Sequence, residues 1–174
     1  DTRGTPQRVA GAIDQGFLAD EPQVAGCALA IPACGTAHVV WREFRSVSNT
    51  QAVITARIGA GGVSGELREL GTRQGVGFYA PRIVMDHAGN AVAAWSEYAS
   101  DSAQDNKHAA RYRLEGAAGW GSAEVLATMP FGADPPLALA IEPRTGDAVA
   151  LWQDVLDVRD GRASVWSFRV RRFD

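Results

Sequence analysis

Short apolar runs, separated by small groups of Gly, Pro, Asn, Asp and Ser, fill most of the chain, and apolar and polar residues alternate within or beside them. The stretch PRIVMDHAGNAVAAW, residues 81–95, is the clearest case. An apolar run after a proline meets the turn Asp86-His87-Ala88-Gly89-Asn90, where glycine accepts a positive φ without steric cost, and a second run follows. No segment sustains the helical period of about 3.6 residues against this alternation, so the chain is predicted to be all-β. First strands are predicted at 23–25, 82–85 and 137–141, and second strands carry Trp41, Trp95 and Trp152. Third strands follow as AVITARI (52–58), HAARYRL (108–114) and ASVWSFRV (163–170), and fourth strands as GELREL (65–70) and GSAEVLAT (121–128). Residues 46–52 and 99–107 have loop composition, and 16–22, 77–81 and 131–136 read as linkers. The second strand around Ala91, Val92, Ala93 and Ala94 is small and apolar on both faces, which suits a sheet covered on both sides.

These elements recur in register. Trp41, Trp95 and Trp152 lie 54 and 57 residues apart, and six positions before each stands Gly35, Gly89 or Gly146. Two positions after each comes an acid, Glu43, Glu97 or Asp154, and the units open on Pro22, Pro81 and Pro136. Four strands per unit at a period of about 50 residues is the pattern of propeller blades. The segment TPQRVAGAI fits none of the three units and reads as a fourth strand, so the strand order is D, ABCD, ABCD, ABC. The single repeat domain, 1–174, then comprises a closing outer strand at 4–13, a first blade at 22–70, a second at 81–128 and a third at 136–173 that lacks its outer strand. Three blades fall short of the usual number, about four to eight. The chain is therefore expected to complete a six-bladed propeller as a homodimer by strand exchange, or to be part of a larger propeller.

The pattern P-x-[VIL]-x-x-D-x-x-G-N-A-x-A-x-W, followed by an Arg-aromatic pair and G-W-G, resembles that of a bacterial propeller-repeat family. Unit two carries it through Pro81, Asp86, Gly89, Asn90, Ala91, Trp95, Arg111-Tyr112 and Gly119-Trp120-Gly121. Units one and three keep only the Pro, Gly, Ala, Trp and Arg positions. The resemblance implies a fold and no particular activity.

Composition narrows the function classes. Apolar residues at 46% and charged residues at 21% argue against wholesale disorder, and a net charge of −3 leaves no basic footprint for nucleic acid. No apolar run approaches the length of a membrane helix, about 20 residues. Cys27 and Cys34 flank what reads as an insertion in a hairpin; a disulfide between them would place the protein outside the reducing cytosol, and two buried thiols are the alternative. His38, His87 and His108 have no metal-ligand spacing. GGVSGE lacks the context of a nucleophile elbow, GAGG (59–62) lacks a dinucleotide fingerprint, and no sialidase-type S-x-D-x-G-x-x-W box occurs at 59–66 or 115–121. No catalytic residue, cofactor or metal is expected.

The repeated acids have two readings. With Arg45, Tyr79 and Tyr98, the residues Glu43, Glu97 and Asp154 would line a ligand-binding rim formed by the linkers between units and the loops after the tryptophan strands, combining aromatic surface with hydrogen-bonding groups. Alternatively, each acid pairs with an arginine 14 or 15 residues on, Glu43 with Arg57, Glu97 with Arg111 and Asp154 with Arg169, so that partly buried charges are matched between strands. The tryptophans are expected in the core. The expected function is that of an exported, non-catalytic binding module for a carbohydrate or a protein. A self-assembling scaffold and a fragment of a sialidase-like propeller hydrolase are the alternatives.

Overall fold

The computed structural model describes residues 17–26, 36–45, 48–59, 62–99, 107–113, 119–128, 137–159 and 162–173. Among these residues the protein is all-β, with eleven strands in three open antiparallel sheets, no helix and no closed barrel. The first sheet is β1 (Phe17–Gly26), β2 (Ala37–Arg45), β3 (Thr50–Gly59) and β4 (Gly62–Gln74), neighbouring one another in chain order. The second is β5 (Val76–Met85), β6 (Ala91–Ala99), β7 (Lys107–Arg113) and β8 (Glu124–Thr128). The third has β9 (Leu137–Ile141), β10 (Ala148–Arg159) and β11 (Arg162–Phe173), with β10 in the middle.

The first strands of the first two sheets are longer than the apolar pattern suggested. Residues read as linkers before Pro22 and Pro81 are strand, and each ladder breaks register across the proline, between Asp20 and Gln23 and between Tyr79 and Arg82. Proline has no N–H to give to a ladder, so the chain bulges at that point and pairing resumes beyond it. β4 likewise runs past residue 70 to Gln74, and Gly75 alone, at φ +68°, turns the chain into β5. β3 begins at Thr50, inside the segment read as loop. The first sheet thus spans 17–74 instead of 22–70. The closing strand at 4–13, the linker at 131–136, Gly35 and the pair Cys27 and Cys34 lie outside the described residues.

The turn glycines of the other two units behave as their position predicts, with φ +91° at Gly89 and +80° at Gly146. The Asp86 carboxylate closes the first of these turns by accepting the Asn90 backbone N–H (2.8 Å) and its side-chain amide (2.6 Å). The His87 N–H donates to the Pro143 carbonyl at 2.7 Å, which docks this turn on its counterpart between β9 and β10. In that second turn Arg172 and then Thr145 donate to the Asp147 carboxylate and hold its pKa below the usual carboxylate value.

Alternation along the strands decides how the sheets stack. Val40 and Val53 of the first sheet share one core with Phe78, Ala93, Trp95 and Ala109 of the second. Ala94, on the opposite face of β6, shares another with Leu137, Ala150 and Trp152 of the third. The second sheet is therefore the middle layer, and every residue from Ala91 to Glu97 is buried, as a strand apolar on both faces requires. The stacking is polar: the tryptophan face of a sheet meets the sheet before it, and the face carrying the residue before the tryptophan meets the sheet after it. β5 lies between β1 and β9, so the first strands of the three sheets are neighbours.

Candidate functional site

The three tryptophans are core residues; Trp41, Trp95 and Trp152 are all buried. The acid two positions on has a local task in the second unit. There Glu97, itself buried, accepts the Trp95 indole N–H at 3.0 Å and pairs with Lys107 at 3.2 Å. Both partners hold it inside the sheet stack, which removes it from a ligand surface. In the first unit Glu43 pairs instead with Arg45 at 3.2 Å, and the Trp41 indole nitrogen has no hydrogen-bond partner among the described residues.

Strand register does not set any acid opposite its expected arginine. Glu43 stands opposite Ala52, whereas Arg57 stands opposite His38, five positions away along β2 and therefore on the other face. Glu97 stands opposite Lys107, and Arg111 opposite Ala93, four positions away. Asp154 stands opposite Ser167, and Arg169 opposite Trp152, a diagonal offset of two. A constant spacing in sequence gives a constant cross-strand partner only when the connecting loops are equal in length, and these loops differ. The side chains of Arg111 and Asp154 lie outside what is described.

One end of the first two sheets gathers the remaining candidates, where β2 ends, β4 passes into β5 and β6 ends. Tyr79 and Tyr98 meet edge to face with ring centroids 6.5 Å apart. Their strands bring them together: Gly77 pairs with Tyr98 and Tyr79 with Ser96, so both rings project from one face. A Cβ at Gly77 would lie 2.6 Å from the Tyr79 ring, so the absence of a side chain there lets the ring lie down over the strand. Arg42, reaching across from the first sheet, places its guanidinium 5.1 Å from the Tyr79 ring centroid and donates to the Phe78 carbonyl at 3.1 Å. Gln51 accepts the Phe78 N–H at 3.0 Å, so two side chains of the first sheet grip both polar groups of one residue of the second. The arrangement fixes where Tyr79 stands relative to the first sheet.

Arg45 sits at the same end between Glu43 and Glu69. Partial burial alone would lower its pKa, but hydrogen bonds and charge from Glu69 and then Glu43 outweigh that and hold it above its ordinary value. The guanidinium keeps its charge at any working pH. Tyr79, Tyr98 and Arg45 are all half-buried, which leaves each with surface at this end.

Arg42, Glu69 and Lys107 are the members of this cluster that the sequence reading missed. Arg42 carried a signal, since it follows Trp41 and must project from the opposite face of β2, toward the next sheet. Glu69 and Lys107 carried none, because their pairing follows from the lengths of the loops. Among the described residues no group of three His, Cys, Asp or Glu side chains is placed to hold a metal ion, and no helix is long and apolar enough to cross a membrane. No protein-family model matches the chain, and no curated protein matches it.

Proposed function

We propose that the three sheets are propeller blades of the bacterial repeat type and that the protein is a non-catalytic binding module. Its ligand is carried by Arg42, Arg45, Tyr79 and Tyr98 at the end where the first two sheets meet. The observation that supports this most is the Arg42–Tyr79–Tyr98 cluster, two tyrosine rings and a guanidinium brought to one end by two different sheets. Half-exposed rings beside fixed donors offer the flat apolar surface and the directed hydrogen bonds that hold a sugar ring or a peptide side chain. Glu43 flanks the site through Arg45, while Glu97 is a packing residue.

A carbohydrate is the favoured ligand class and a protein the alternative. Export from the cytosol belongs to the same proposal and rests on the close pair Cys27 and Cys34. The proposed assembly is a homodimer of six blades. A purely structural scaffold is the second reading, favoured by the internal pairing of Glu97 with Trp95 and Lys107.

The test is a glycan array probed with the intact chain and with Tyr79→Ala. The module reading predicts a sugar-specific signal that drops about tenfold or more in the variant, the loss expected for one aromatic contact of ~1–2 kcal/mol. A blank array from folded protein would remove the carbohydrate reading. A signal that Tyr79→Ala leaves unchanged would move the site elsewhere.

A further inference from the structure

We draw no further inference here: the strongest candidate, the exposed apolar patch of Leu151, Phe168 and Val170 on the outer face of the third sheet, carries none because nothing in the structure shows what covers it.

Discussion

Trp95→Ala is expected to cost about 3–5 kcal/mol of folding stability, the range for removing a fully buried large aromatic. Trp95 has no exposed surface and joins the first and second sheets. Its ring lies so close to β4 that a Cβ at Gly71 would stand 3.2 Å from it, and Phe78 crowds the same position. Neighbours packed that tightly around a missing ring collapse only in part, so a cavity remains. The substitution also takes the indole N–H from Glu97, leaving that buried carboxylate with Lys107. Trp95→Phe keeps most of the volume and loses only the hydrogen bond, so its cost should be near 1–2 kcal/mol. Urea unfolding of the two variants checks the order. Equal costs would mean that the hydrogen bond, not the ring, holds the two sheets together.

Gly146→Ala is expected to cost roughly 2–4 kcal/mol, an effect out of proportion to one methyl group. Two separate causes act there. The backbone at φ +80° lies where a Cβ clashes with its own chain, and the added atom would stand 2.7 Å from the Asp86 carboxylate. Asp86 cannot swing aside freely, because both its oxygens are held by Asn90. A double-mutant cycle with Asp86→Ala separates the causes. If the clash matters, Asp86→Ala will cost less in the Gly146→Ala background than alone, by about 1 kcal/mol or more. Additive costs would leave backbone strain as the whole effect and would weaken the case that the turns of the second and third sheets dock on each other.

These two positions also mark what the sequence makes legible. Trp95 and Gly146 belong to features fixed by a single residue, a large ring among alanines and a turn that needs positive φ, and such features survive reading one residue at a time. Period-two alternation placed the second strands, and the all-small β6 was recognisable as a doubly covered strand. Proline misled, since Pro22 and Pro81 looked like strand openings and are bulges within longer strands. Register was the harder loss. Whether Glu43 faces Arg57 or Ala52 depends on how many residues the connecting loop contains and where the ladder slips, and a slip of one residue moves a side chain to the other face.

The candidate site was half legible for the same reason. Arg45 and Tyr98 stood out by chemistry and by position after the tryptophan strands, and Tyr79 by its place in the linker that ends at Pro81. Arg42 over the Tyr79 ring is a contact between two sheets: alternation after Trp41 sends Arg42 toward the next sheet, but which residue it meets there depends on how the sheets stack. Glu97 was read as a possible ligand group because its burial is a consequence of stacking, which only the layer order reveals.

The binding end depends on one arrangement, the second sheet lying between the first and the third. Amide hydrogen exchange tests it directly, since backbone groups protected on both faces open only with the whole fold. The amides of Val92 to Ser96 in β6 are expected to be the slowest in the protein, and those of β11 around the exposed Phe168 and Val170 markedly faster. Exchange in β6 as fast as in β11 would contradict the layered order and, with it, the placement of the binding end.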